Sequence, residues 1–138
     1  MTPEEMIRIL NMEPHPEGGH YVETFRDAPG PDGRARVTCI YFLLRTGERS
    51  HWHKVDVAEI WLWHAGAPLA LELSADGRER RTLTLGPDLP HQHPQAIVRP
   101  QEWQAAHSLG DWTLVSCVVA PGFDFAGFTL APPDWSPG

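Results

Sequence analysis

Two histidines stand two residues apart in the segment Gly47-Glu-Arg-Ser-His51-Trp-His53-Lys-Val-Asp-Val-Ala-Glu59. On a regular strand that spacing puts both imidazoles on one face. Glu59 has the same parity but follows His53 by six residues, about 20 Å along a straight strand. A shared site therefore requires Lys54 to Ala58 to turn the chain back, so that Glu59 opens a neighbouring antiparallel strand. Two neutral imidazoles and a carboxylate arranged in that way form a donor set for Zn, Fe, Mn or Ni. The same spacing also fits a plain structural reading, in which the histidines are hydrogen-bonded neighbours on a strand.

If Glu59 faces an interior, parity carries Trp61 and Trp63 inward with it. Ile60 and Leu62 then face outward, against a second sheet or a dimer partner. Trp61, Trp63 and Trp103 are candidate ligand platforms, since aromatic faces beside polar groups line many small-molecule sites; as plain core residues they would serve equally well. Ser50 and Arg49 are expected at the edge of the same mouth. Of the eight histidines, several are set aside. His91 and His93 sit between prolines in Leu89-Pro-His-Gln-His-Pro94, an extended exposed loop without an acidic partner. His15 is expected at the surface, His20 near the pocket only if the adjacent loop approaches it, and His64 on the opposite face from Glu59.

The elements that would position these residues are mostly strands. The chain starts with a helix: Thr2 and Glu5 form a capping box, Pro3 suits the first helical position, and Met6, Ile7 and Leu10 make an apolar stripe that ends near Asn11. The period then changes to two. Strands are predicted over 20–26, 36–45, 59–64, 69–74, 80–85, 97–99, 104–107, 112–119 and, less strongly patterned, 128–130. Ala75-Asp76-Gly77 is the best hairpin signal. Gly, Pro and Asp punctuate the intervals, and the 12 glycines and 14 prolines read as turns. Many short strands with turns every 8–12 residues indicate an all-β sandwich or barrel. The 138 residues form one domain, 1–138, with a Pro-rich tail from Ala131 to Gly138.

Composition narrows the partners. Eleven basic against 18 acidic residues leave a net charge of −7, without a basic run, so neither nucleic acid nor an anionic membrane is expected as a partner. Arg49 and Arg99 are expected to reverse the sign locally and leave room for a small anionic ligand. No apolar stretch is long enough to span a bilayer. The start MTPEEMIRIL lacks a signal pattern, so a cytoplasmic location is expected. Cys39 and Cys117 lie in apolar runs and read as two buried thiols, a single disulfide being the alternative. No Gly-x-Ser-x-Gly elbow or phosphate-cradling loop occurs.

The segment Gly47, His51-x-His53, Glu59, six residues, Gly66 resembles the first motif of the cupin superfamily, with Glu59 one or two residues late and Gly47 closer than usual. The wider chain is similar to the small cupin 5 domain family. That resemblance is carried by His15-Pro-Glu-Gly-Gly-His-Tyr21, Thr38-Cys-Ile-Tyr-Phe-Leu-Leu44, Ser50-His-Trp-His-Lys54, Ala58-Glu-Ile-Trp61, Ala65-Gly-Ala-Pro-Leu69 and Val119-Ala-Pro-Gly-Phe-Asp-Phe125. It implies a cupin double-stranded β-helix, a jelly-roll barrel, behind the short N-terminal helix, and a homodimer. The second cupin motif departs from the pattern. Pro100-Gln-Glu-Trp-Gln-Ala-Ala-His107 lacks the glycine, and the usual histidine position falls on Ala105, with His107 two residues on and of the same parity.

Two site chemistries follow from the resemblance. One is a metal centre of His51, His53, Glu59 and His107, implying a dioxygenase or a metal-assisted isomerase or hydrolase. The other is a metal-free pocket like that of superfamily sugar-nucleotide epimerases, which use a His base and a Tyr acid. Here His53 would be the base, Glu59 its orienting partner, and Tyr21 or Tyr41 the acid. Tyr21 follows Pro16-Glu17-Gly18-Gly19, which is either a turn needing positive φ or a loop over the barrel mouth. The leading expectation is a small-molecule-binding cupin with a sugar-like or organic-acid ligand and isomerase or epimerase chemistry. The alternatives are the metal-dependent enzyme and a non-catalytic ligand-binding module.

Overall fold

The computed structural model describes all 138 residues. Helix α1 spans Pro3–Ile9. The predicted capping box is present: Thr2 Oγ1 accepts from the Glu5 amide at 3.1 Å, and Glu5 Oε1 accepts from the Thr2 amide at 3.0 Å. The helix closes two residues before Asn11, which takes a left-handed φ of 56°. Met6 is buried, and Ile7 and Leu10 pack with Met12 and Leu43.

Eleven strands follow: β1 Glu13–Pro14, β2 His20–Arg26, β3 Thr38–Arg45, β4 Arg49–Val55, β5 Ala58–Gly66, β6 Leu69–Ser74, β7 Arg81–Leu85, β8 Gln95–Val98, β9 Trp103–Ser108, β10 Trp112–Ala120 and β11 Phe128–Leu130. They form two antiparallel sheets. One has the order β1-β2-β3-β10-β5-β8 and the other β11-β4-β9-β6-β7. The alternation of β3 and β10 explains their central place. Phe42, Leu44, Val115 and Cys117 point into the interior and join Trp61, Leu69, Leu71, Leu73, Leu85 and Ala106 in one buried cluster. Burying such side chains contributes about 1.5–3 kcal/mol each. The hairpin at Ala75-Asp76-Gly77 forms with a longer loop than predicted, since β7 starts only at Arg81. Asp76 explains the extra length: its Oδ1 accepts from the amides of Arg78 and Glu79 and stabilises a wider turn.

Two departures from the expected pattern set the site. β4 and β5 do not pair with each other; they belong to opposite sheets. Asp56 and Val57 therefore carry the chain from one sheet to the other, and Glu59 faces His53 across the interior instead of standing beside it on a neighbouring strand. The second departure is a β-bulge. Ser50 pairs with Ala106 and His53 with Gln104, so three steps along β4 match two along β9. A bulge of this kind reverses the alternation of the strand. Ser50 and His53 both face inward, while His51 and Trp52 both face the outside of the barrel.

The outer side of this second sheet is covered by the C-terminal tail. Ala131 donates its amide to the Trp52 carbonyl at 2.9 Å. Trp135 packs on Trp103 at 4.6 Å and on Trp52 at 6.3 Å between ring centroids.

Candidate functional site

The apolar cluster fills one part of the barrel and leaves the rest hollow. A cavity of about 420 Å³ is lined by His53 and Val55 from β4, Glu59 from β5, Cys117 and Val119 from β10, Thr38, Ile40 and Phe42 from β3, and Tyr21 and Glu23 from β2. The segment ahead of β2 adds His15 and Glu17, and the segment after β10 adds Phe123 and Phe125.

Glu17 enters from the loop His15-Pro-Glu-Gly-Gly. The loop fits there because its two glycines take φ of 113° and 76°. A Cβ on Gly18 would drive into the Arg49 carbonyl oxygen, and one on Gly19 would sit 2.7–2.9 Å from Leu44, Phe42 and the Leu43 carbonyl. The Glu17 carbonyl accepts from the His51 amide at 2.8 Å, pinning the loop to β4 at its bulge. Both predicted readings of Pro16-Glu17-Gly18-Gly19 therefore meet in one object: a positive-φ turn that also projects a carboxyl group into the barrel.

The hydrogen bonds around His53 fix its proton. Nδ1 lies 2.7 Å from the His51 carbonyl oxygen, which can only accept, so Nδ1 carries the hydrogen. Nε2 then offers its lone pair, 3.2 Å from Glu17 Oε2. The other Glu17 oxygen accepts from the Ser50 hydroxyl at 2.8 Å. One proton must lie between Glu17 and His53. Burial pushes the Glu17 pKa up against the opposing pull of His15 and the Ser50 hydroxyl. It pushes the His53 pKa down, against the opposing effects of Glu59 and of the bond to the His51 carbonyl. Both directions favour the neutral pair, with Glu17 O–H donating to Nε2. His15 stands beside them, with Nδ1 accepting from the Glu17 amide at 3.2 Å. Its ring meets Tyr21 edge-on at 4.5 Å, and burial lowers its pKa as well. The expectation of a surface His15 is corrected: its side chain is 7% exposed.

Across the interior, Glu59 has its own support. The Trp61 Nε1–H donates to Gln104 Oε1 at 2.8 Å, and Gln104 Nε2 donates to Glu59 Oε1 at 2.9 Å. Because an indole N–H can only donate, the chain of bonds fixes the orientation of the amide. Burial raises the Glu59 pKa, His53 opposes that rise, and Glu17 adds to it. The Cys117 thiol, beside Glu59, is pushed well above its ordinary value by burial and by the nearby carboxyls. Cys117 and the half-buried Cys39 are both free thiols.

The other predicted residues are distributed differently. Ser50 is buried against Glu17, and Tyr21 lines the cavity. The Tyr21 phenol is raised by partial burial and by Glu13 and Glu23 near it, so it is neutral and able to donate. Trp61 and Trp63 point inward but pack in the core, and neither lines the cavity. Trp103 lies on the outside, stacked on Trp135 beneath Lys54 Nζ at 4.9 Å. Arg49 is outside too, 3.1 Å from Glu72, and Arg99 is exposed away from the cavity. Neither arginine brings positive charge to the mouth, contrary to the expectation.

The expected metal ligands do not converge. The bulge turns His51 outward, where Nε2 bonds the Pro132 carbonyl oxygen at 2.8 Å. His107 pairs with Arg49 and Ala70, on the same outer face as Ala105, because Gln104 and Ala106 take the inward positions of β9. The parity argument that allowed His107 to face the interior fails for that reason. Only His53 and Glu59 of the four face inward, and the free His53 nitrogen is engaged by Glu17. No three His, Cys, Asp or Glu side chains are grouped so as to hold a metal ion. The predicted donor set does not fit a divalent metal.

Glu17, His15 and Gln104 were absent from the candidate residues. Glu17 carried a signal, an acidic residue between a proline and two glycines. Gln104 carried none, since nothing in the spacing of Trp103–Ser108 marks which side of β9 faces inward.

Comparisons with known proteins agree with this architecture. A family model described as Cupin superfamily (DUF985) matches residues 4–131. A crystal structure of a Shewanella oneidensis protein superposes with a TM-score of 0.91 at 36% identity, covering 95% of this chain and 85% of that one. A hypothetical protein from Leishmania major gives 0.85 at 30% identity, covering 95% and 88%. Oxalate decarboxylase from Bacillus subtilis gives 0.63 at 12% identity, covering 89% of this chain and 30% of that one, a likeness of fold alone. None of the curated proteins matches the chain. No helix is long and apolar enough to cross a membrane.

Proposed function

The chain belongs to the cupin superfamily family with that description, and from this premise we propose that its barrel binds a polar, sugar-like small molecule and moves protons on it, as an isomerase or epimerase does. The observation that carries the reading is the 3.2 Å contact between His53 Nε2 and Glu17 Oε2 on the wall of a cavity of about 420 Å³. That volume suits a hexose-sized ligand. Catalysis of this type needs a group that accepts a proton from an acidic C–H and returns one later, with a pKa near the working pH. The Glu17–His53 pair holds one proton between a carboxyl raised by burial and an imidazole lowered by it. Moving that proton turns the neutral pair into a carboxylate–imidazolium pair and so changes which member is acid and which is base, with no change in the net charge of the interior. Glu59 faces the pair from the opposite sheet and supplies a second carboxyl. Removing a proton from one side of a carbon and returning it to the other requires such a second group. Tyr21, at the cavity wall, is the phenolic donor for a developing oxyanion.

The test follows the proton. Candidate sugars are incubated with the protein in D2O, and deuterium at carbon is read by NMR. Exchange by the parent protein, reduced about 100-fold in Glu17→Gln and in His53→Ala and retained in His91→Ala, supports the reading. Exchange unchanged in Glu17→Gln overturns it, as would stoichiometric metal that is lost with His53→Ala but kept with His91→Ala. Half-buried Ile60, Leu62 and Val118 lie beside Ile97, which is 55% exposed. This outward apolar strip supports the proposal of a homodimer, to be checked by sedimentation.

A further inference from the structure

The charge of the cavity wall bears on what enters it. Four carboxyl groups line the space: Glu13, Glu17, Glu23 and Glu59. The only Lys or Arg among the lining residues is Arg26, and its guanidinium is already committed. It donates to both Glu23 oxygens at 2.7 and 3.2 Å and reaches the Phe123 carbonyl at 3.4 Å. The two arginines expected at the mouth, Arg49 and Arg99, are elsewhere. Aromatic rings complete the wall, with Tyr21, Phe42, Phe123 and Phe125. Phe123 and Phe125 meet edge-on at 4.8 Å. Carboxyl groups combined with aromatic faces suit organic cations, which are attracted both to the charge and to the ring quadrupoles.

Glu59 supplies the second observation. It is 7% exposed, yet only Oε1 receives an N–H, from Gln104. The remaining donor near the group is the weak Cys117 thiol. A carboxyl on a cavity wall whose second oxygen has only a weak thiol beside it keeps acceptor capacity for a stronger donor that the chain itself does not supply.

We propose that the cavity selects a ligand bearing a protonated amine, an amino sugar in preference to a neutral sugar or a sugar acid, with Glu59 as the group that receives the ammonium. The inference rests on the reading of the cavity as the ligand site and names the class of that ligand. A cation close to Glu59 favours its ionised form, so the interior needs no preformed charge to receive it. A carboxylate or phosphate would instead meet a wall lined by carboxyl groups with no uncommitted Lys or Arg and would have to be buried unpaired, which is strongly unfavourable. The exposed Glu13, which has no cationic partner among the lining residues, attracts the same sign of ligand.

Matched ligands separate the outcomes. Glucosamine, glucose and glucuronate share size and ring, as do butylamine, butanol and butyrate. Binding is measured by calorimetry on the full chain, with circular dichroism confirming the fold of each variant. The amine member of at least one set is expected to bind 10-fold or more tightly than its neutral counterpart, and the acid not at all. Glu59→Gln is expected to erase that preference, so that the amine binds no more tightly than its neutral counterpart to the same variant, and Glu72→Gln, outside the barrel, to leave the preference intact. An acid that binds as tightly as its amine, an unaltered preference in Glu59→Gln, or no binding by any amine overturns the proposal. Amine binding without deuterium exchange at carbon would leave the charge preference standing and overturn the proton-transfer reading instead.

Discussion

β4 presents its two histidines to opposite surroundings, and an irregular segment holds each face. Inside, His53 and Ser50 meet Glu17 from the Pro-Glu-Gly-Gly loop. Outside, His51 bonds the Pro132 carbonyl and Trp52 supports Trp135 in the C-terminal tail. The residue types and the strand are the same; the roles differ because one bulge fixes which ring is buried beside a carboxyl and which is a peripheral clasp. The proposed proton transfer thus depends less on the histidine than on what the loop brings to it. A histidine with a carbonyl partner and solvent nearby keeps a structural role, whereas one locked by a carbonyl at Nδ1 and by a carboxyl at Nε2 holds a movable proton.

The largest effect should come from breaking the inner clasp at its backbone. Gly18→Ala puts a Cβ against the Arg49 carbonyl at a φ of 113°. The expected loss is about 3 kcal/mol, from left-handed strain and overpacking together, read by urea unfolding. A loss below about 1 kcal/mol would mean that the loop can leave β4 at little cost. Next comes Glu17→Gln, which keeps the shape and most hydrogen bonds but removes the shared proton. Deuterium exchange at the ligand carbon should fall about 100-fold, equivalent to about 2.7 kcal/mol of barrier, while stability changes by less than about 1 kcal/mol. A comparable fall in stability would make the inner clasp as structural as the outer one.

The two buried carboxyls and the two buried imidazoles give opposite slopes with pH. Glu17 and Glu59 hold their protons above the ordinary 4.5. Between that value and their raised folded values the native state binds more protons than the unfolded one, so stability falls as pH rises. His15 and His53 are displaced below 6.5. There the unfolded state binds more protons, and stability is lost as pH falls below 6.5. Glu59→Gln removes one contribution to the first slope. Its stability relative to the parent should therefore rise as pH climbs above 4.5, measured by denaturation at stepped pH; a flat difference would refute the raised carboxyl. The smallest effect belongs to the outer clasp. His51→Ala loses one hydrogen bond to the tail and should cost about 1 kcal/mol, with exchange chemistry unaffected because the His51 carbonyl that holds His53 belongs to the backbone.

The fold was readable because its signals are local. The capping box of Thr2 and Glu5, the alternation in Thr38–Arg45 and Trp112–Ala120, and the glycine and proline turns each act over a few residues. The inward placement of two candidate residues was readable in the same way: His53 and Glu59 both line the cavity. The rest depends on relations between distant segments. Inward parity for His51 follows from an unbroken strand, but the register of β4 against β9 is set by packing on both sheets, and that packing inserts the bulge. His107 was misjudged by the same one-step shift, since Gln104 and Ala106 hold the inward side of β9. Glu17 lies in a loop, where no periodicity indicates which way a side chain points; only its flanking Pro16 and Gly18-Gly19 mark the segment.

The tail on the outside of β4 has a consequence in optics. Trp52 immediately precedes His53, and its ring meets Trp135 at 89° while Trp103 lies 4.6 Å from the same Trp135. Three indoles this close, with different tilts, couple their electronic transitions and quench or shift one another's emission according to separation. The strand that carries the buried imidazole on one side therefore carries a chromophore on the other, with a single peptide unit between them. Under the proposed ligand binding, any displacement of β4 should register as a change in ultraviolet circular dichroism and fluorescence, which would make these indoles a label-free gauge of occupancy.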